Sequence, residues 1–151
     1  MVRFYRCFSL NKSRLYFVIT KNFIIMYEYN AKCLRVVDGD TVDVMIDLGF
    51  STWKKVRVRL DGINTPESRT RDKEEKKRGL AAKARLQEII DINDSEFLLR
   101  VNGIGKYGRA LGEIMVKTIG RNPEDISITL KNVNKQLITE GHAVEYHGGA
   151  R

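Results

Sequence analysis

The stretch Arg57-Val58-Arg59-Leu60-Asp61-Gly62-Ile63-Asn64-Thr65-Pro66-Glu67 decides how the rest of the chain is read. Val56, Val58 and Leu60 alternate with Arg57, Arg59 and Asp61, the period-two pattern of a strand with one buried face. Gly62 loosens the backbone and Pro66 ends regular structure. The strand therefore hands Asn64, Thr65 and Glu67 together to a tight turn. Oxygen-bearing side chains on a turn, with arginines just upstream, suit a hard cation and a phosphate. Val37-Asp38-Gly39-Asp40-Thr41 before it and Lys106-Tyr107-Gly108-Arg109 after it supply further charged groups.

Working outward, Ala31 to Val37 reads as a strand, Asp38-Gly39 as a turn, and Val42, Val44 and Ile46 as the inward residues of a second strand. Asp-Gly between two such runs is a hairpin signal. Leu48 to Lys54 connects to the anchor strand. Ser68 to Arg78, with six basic and three acidic residues, reads as a loop, either merely solvated or a flap beside a site. Ala82, Leu86, Ile89 and Ile90 form one helical face. Phe97, Leu99 and Val101 mark a fourth strand, Asn102-Gly103-Ile104-Gly105 a turn-rich break, and Arg109 to Val116 a fifth strand. Gly120-Arg121-Asn122-Pro123 reads as a loop. A last helix is expected to carry Leu130, Val133, Leu137 and Ile138, with Gly141 as its C-terminal cap. Five short strands and two helices in this order suggest an α+β, mainly β fold: a five-stranded OB-type barrel with two packed helices. Other α+β layouts share the same element order.

The chain has 151 residues, enough for one domain with its own core. Its net charge of +8 is unevenly spread, because residues 1 to 25 hold five basic residues and no acidic one. The remaining residues carry only +3, so whole-chain basicity overstates the case for a nucleic-acid partner. Lys12, Arg14 and Lys21 interrupt the apolar runs Leu15–Thr20 and Phe23–Met26, so neither a secretion leader nor a membrane span is read there. The expectation is a basic extension over 1–25, either real or an upstream start, and a domain over 26–151. A cytoplasmic monomer with no membrane partner is expected. Cys7 and Cys33 lack metal-ligand spacing and read as ordinary thiols.

Three motifs in order, Asp38-Gly39-Asp40-Thr41, Arg59 through Asn64-Thr65-Pro66-Glu67, and Lys106-Tyr107-Gly108-Arg109, resemble the staphylococcal-nuclease-like (thermonuclease) family over about Ala31 to Tyr146. Each motif alone is no more than a turn or hairpin; the three in this order, separated by these strands and the helix, carry the resemblance. It implies an OB-type barrel, a calcium cofactor and cleavage of DNA and RNA. Asp40 matches the first carboxylate ligand of calcium, Asn64 stands where the family usually has an Asp, and Thr65 would offer its backbone carbonyl. Glu67 matches the acid that serves as general base or water-orienting group, and Arg59 and Arg109 match the arginines that grip the scissile phosphate. Lys106 and Tyr107 match residues flanking the bound nucleotide, and Tyr146 lies near a nucleotide-stacking position. On this resemblance the family's third, C-terminal helix is expected to be absent.

This chemistry has a physical rationale. Hydrolysis of an anionic phosphodiester needs charge neutralisation, a positioned water and help for the leaving oxygen. Oxygen donors such as Asp40 and Asn64 are what calcium prefers, and guanidinium groups offer fixed bidentate donors to phosphate. The same residues also have ordinary uses: a surface arginine, a turn aspartate, a capping glutamate. The first reading is a calcium-dependent endonuclease acting on single-stranded or frayed nucleic acid, leaving 3′-phosphate and 5′-hydroxyl ends as the resemblance implies. The alternatives are a non-catalytic OB-fold nucleic-acid-binding module, favoured by Asn64, and a protein-interaction barrel, favoured by the modest charge of the body.

Overall fold

A computed structural model describes residues 27–119 and 128–146 of the chain. In order these form β1 (Tyr27–Asp38), β2 (Thr41–Asp47), β3 (Trp53–Leu60), β4 (Ile63–Asn64), α1 (Lys73–Asp91), β5 (Glu96–Ile104), β6 (Ala110–Ile119), β7 (Ile128–Asn132), α2 (Val133–Thr139) and β8 (Val144–Glu145). The main sheet runs β3-β2-β1-β5-β6-β7. A parallel pairing of β3 with β6 joins Val58 to Ala110, Arg59 to Leu111 and Leu60 to Gly112, and so closes five strands into a barrel. This is the OB-type α+β architecture expected from the alternating pattern.

The period-two pattern does what it implies. Val42, Val44, Val58, Leu60, Leu99 and Ile114 are almost fully buried inside the barrel. Leu86, Ile89 and Ile90 of α1 and Val133 and Leu137 of α2 join the same core. Truncating any of these to alanine removes transfer energy and leaves a cavity, at about 2–5 kcal/mol for the larger side chains. Asn134, buried on α2, bolts the barrel seam. Its amide donates to the carbonyls of Asp61 (2.9 Å) and Gly112 (3.2 Å), and its Oδ1 accepts from the Ile114 N–H (3.3 Å). The closure that brings β3 beside β6 is thus held by a satisfied polar group.

Several local expectations are corrected. The segment 68–78 is not all loop: α1 starts at Lys73, with the Asp72 carboxylate accepting from the N–H groups of Glu74 and Glu75. An aspartate followed three residues later by glutamate is a helix-start signal, here hidden among the surrounding charges. Leu130 belongs to β7, because Asn132 caps α2 by accepting from the Lys135 N–H. Asn102 to Ile104 continue β5 past a register shift between Val101 and Gly103, and the turn falls at 105–109 instead. The β1–β2 turn is centred on Gly39-Asp40, with Asp38 paired to Thr41. Beyond the five barrel strands, β7 extends the sheet and β4 pairs with β8. Gly141, at φ +76°, does end α2, with the His142 N–H returning to the Leu137 carbonyl. The 1–25 extension and the Gly120 to Pro123 loop lie outside the described residues.

Candidate functional site

The ladder between β2 and β3 sets Thr41 opposite Arg59, so the Gly39-Asp40 turn lies beside the end of β3. The Leu60 N–H donates to the Asp40 carbonyl at 2.8 Å and fixes that contact. Arg59 Nη1 then meets Asp40 Oδ2 at 2.6 Å, and Arg59 Nη2 donates to Asn64 Oδ1 at 3.0 Å. Asp40 also accepts from Thr41 Oγ1 (2.9 Å) and from the Thr65 N–H (3.4 Å). Asp40 and Thr65 are buried, and the Arg59 side chain is only 16% exposed. One guanidinium therefore sits between a carboxylate and an amide oxygen in a shielded corner, where charge interactions are stronger than in bulk water.

Two glycines make this corner possible. A Cβ built on Gly39 would come 2.9 Å from both Ala82 Cβ and Thr65 Oγ1, so the turn presses against α1 and Thr65 only because that carbon is absent. A Cβ on Gly79, inside α1, would lie 2.6 Å from the Glu67 carbonyl carbon and 2.7 Å from the Pro66 carbonyl oxygen. The Pro66-Glu67 backbone thus rests directly on the helix. Glu75, one turn earlier, receives the Glu67 N–H at 3.4 Å.

Asn64, Thr65, Pro66 and Glu67 form one wall of a cleft of about 500 Å³. Glu75 and Arg78 of α1 form a second wall, and Gly141 to Val144 a third. A smaller hollow of about 360 Å³ lies on the other side of the corner, lined by Arg59, Asp61, Leu111 and Tyr146 among others. Tyr146, a nucleotide-stacking candidate on sequence, is anchored there by its N–H to the Gly62 carbonyl at 2.9 Å. Glu75, Arg78 and His142 were not singled out by the sequence reading. The first two would have followed from starting α1 at Asp72, whereas His142 carries no local signal.

Arg109 stands two residues before Leu111, the ladder partner of Arg59, and so has the same strand parity. Its guanidinium lies over the Tyr107 ring, 5.6 Å from the centroid, a cation–π contact at the 105–109 turn. Tyr107 is 83% exposed. Lys106 is exposed beside it and has no ion-pair partner among the described residues. Asp40, Arg59, Asn64 and Thr65 thus touch one another, Glu67 shares a cleft with Asn64 and Thr65, and Arg109 with Tyr107 forms a separate cluster at the turn before β6.

The donors in the corner suit a hard cation in kind, because the Asp40 and Asn64 oxygens already converge on the positive Arg59 group. In number they are sparse: no three His, Cys, Asp or Glu side chains are grouped for a metal among the described residues. The Arg59 guanidinium lines the smaller hollow, and Asn64 and Thr65 line the larger cleft, on an OB-type barrel. The model of the staphylococcal nuclease homologue family matches residues 57–150, and the chain belongs to that family. Of the site residues, Asp40 alone precedes the matched segment. The chain is also 32% identical over 128 residues to Protein ParB of Escherichia coli, an alignment covering 82% of this chain. It spans 62% of the length of that relative.

Proposed function

We propose that the protein is a nuclease that hydrolyses phosphodiester bonds in DNA or RNA, with single-stranded or frayed nucleic acid as its preferred substrate. The observation that carries this reading is the convergence of Arg59, Asp40 and Asn64 beside the cleft that Glu67 lines. Arg59 exchanges its link to the neutral Asn64 for a phosphate oxygen, which offers a charge-assisted bond in its place. Arg109 leaves the Tyr107 ring for the same phosphate. Both guanidiniums act most strongly on the pentacoordinate transition state, where charge accumulates. The Glu67 carboxylate takes a proton from the attacking water as the new P–O bond forms. The bond from phosphorus to the 5′-oxygen breaks, the leaving oxygen takes a proton from solvent water, and 3′-phosphate and 5′-hydroxyl ends remain. Lys106 and Tyr107 flank the nucleotide from the exposed turn. Asp40, Asn64 and the Thr65 carbonyl would hold a calcium ion, which when bound supplies a Lewis acid at the scissile phosphate.

A second reading, binding without cleavage, is favoured by Asn64, which leaves the corner one carboxylate short. Denatured DNA incubated with calcium, and in parallel with chelator, separates the two. Chelator-sensitive digestion is expected. Binding without digestion in either condition selects the binding module, and neither binding nor digestion removes nucleic acid as the partner.

A further inference from the structure

Alternation along β3 sets Trp53, Lys55, Arg57 and Arg59 on one face of the strand, at about 6.6 Å per pair of residues. Their ladder partners on β2 are Asp47, Met45, Asp43 and Thr41. Asp43 is buried beneath two arginines. It takes Arg57 Nε at 2.6 Å and Nη2 at 2.9 Å, and Arg35 Nη2 at 2.8 Å. Those arginine side chains are 49% and 62% exposed, so this carboxylate orients two guanidiniums on side chains that stay open to solvent. Lys55 next to them is exposed and has no ion-pair partner among the described residues. Trp53 is 50% exposed at the start of the strand. Beyond it the hairpin tip holds Phe50 fully in solvent, with Phe50 and Ser51 both at left-handed φ (51° and 59°). The barrel core has no use for these two aromatics.

We propose that this face is a second contact surface for an unpaired nucleic-acid strand, in which Arg35, Lys55 and Arg57 meet backbone phosphates and a base stacks on Trp53. The pairing of cations with an exposed aromatic is what single-strand binding requires, because phosphates repeat along the chain and every base has a π-face. Lys55, Arg57 and Arg35 share this face with Trp53, whose own ladder partner is Asp47. The row ends at Arg59, so a strand held there is delivered to the cleft from about 20 Å away, a span of several nucleotides. The proposal rests on nucleic acid being the ligand class assigned above, and not on hydrolysis.

Trp53 is the single tryptophan of the chain, so its fluorescence reports this face alone. The experiment titrates the full chain with end-labelled oligothymidylate of about 15 nucleotides, an OB-fold site size, in chelator. Label anisotropy reads binding, and tryptophan emission reads stacking. Saturating oligonucleotide is expected to quench Trp53. Lys55→Glu and Trp53→Ala are each expected to weaken binding about tenfold, with no loss for a dinucleotide too short to reach this face. Because both residues are exposed, circular dichroism of the variants is expected to match the parent. Binding with silent Trp53 emission and unchanged affinity in both variants overturns this face and leaves the nuclease reading standing. Quenching in a protein that never cleaves leaves the face standing and removes the nuclease. No binding at all in chelator overturns this face, and digestion of denatured DNA with calcium then decides the nuclease reading separately. Emission that responds to anionic phospholipid vesicles but not to the oligonucleotide reassigns the face to lipid and overturns the proposal.

Discussion

Two arginines two residues apart on β3 each find an aspartate near their ladder partner, yet the two pairs are built inversely. At Asp43 one carboxylate is shared by two guanidiniums, Arg57 and Arg35, which tie β1, β2 and β3 together across an open sheet face. At Arg59 one guanidinium is shared by a carboxylate, Asp40, from the β1–β2 turn, and a neutral amide, Asn64, from β4 at the edge of the larger cleft. The first arrangement holds its anion firmly: hydrogen bonding from Arg57, and then from Arg35, against the opposing effect of burial, keeps the Asp43 carboxyl well below its usual range. In the second, the bond to Asn64 is one that a phosphate can replace. Identical residue types on one strand thus stand in two environments, one guanidinium sharing a buried carboxylate with a second arginine and the other lying between a carboxylate and a neutral amide.

The sharpest way to break this contrast is to remove each arginine in turn. Arg59→Ala is expected to cut turnover by on the order of 10²–10⁵-fold, as for other groups that stabilise transition-state charge, while Arg57→Ala changes kcat by less than about threefold. Any loss in Arg57→Ala should fall in KM. Steady-state kinetics on denatured DNA checks both. Equal damage to kcat from the two variants would erase the distinction between the rungs.

A smaller effect is expected from the other partner. Asp43→Asn should lower stability by about 1–2 kcal/mol, a charge-assisted pair discounted for the exposure of both arginines, and leave kcat intact. The pH dependence has a definite sign. The folded carboxyl titrates below its unfolded value, so its contribution is fully present above the unfolded value of 3.8 and is lost as pH falls through the folded one. Thermal melts of parent and variant between neutral pH and pH 2 should therefore draw closer below pH 3.8. A constant gap across that range would mean that the pair acts through packing and not through charge.

How far the sequence alone could see this contrast depends on the kind of interaction. The barrel strands were legible because Val42, Val44, Val58 and Leu60 obey a period that burial imposes. The three motifs marked Arg59, Asn64 and Arg109 because their chemistry is local. The sequence could not show that Arg57 has a buried carboxylate to hold, because the Asp43 pairing depends on ladder register. Nor could it supply the third wall of the cleft: His142 reaches it only because Gly141 reverses the chain after α2. Gly79, which no sequence pattern singles out, is where the Glu67 backbone seats on α1. Contacts across 12 or more residues with no repeating pattern leave no periodic trace.

The mildest test converts one corner toward the other. Asn64→Asp would set Arg59 between two carboxylates, the charge-reversed image of Asp43 between two arginines. Asn64 keeps an oxygen that can ligate calcium but lacks the full charge, and calcium affinity follows the charge count of its ligands. The added carboxylate also strengthens the hold on Arg59, 3.0 Å away, which offsets part of the gain because a bound cation must compete with that guanidinium. The net expectation is a calcium concentration for half-maximal activity about tenfold lower, equivalent to about 1.4 kcal/mol. Calorimetric titration of calcium without substrate should show the same shift, which separates metal binding from any change in catalysis. In the metal-free protein Arg59 screens the two carboxylates, so the melting temperature should fall only slightly. Should both calcium measurements coincide for parent and variant, Asn64 is not a metal ligand, and its bond to Arg59 serves only to aim the guanidinium at the cleft.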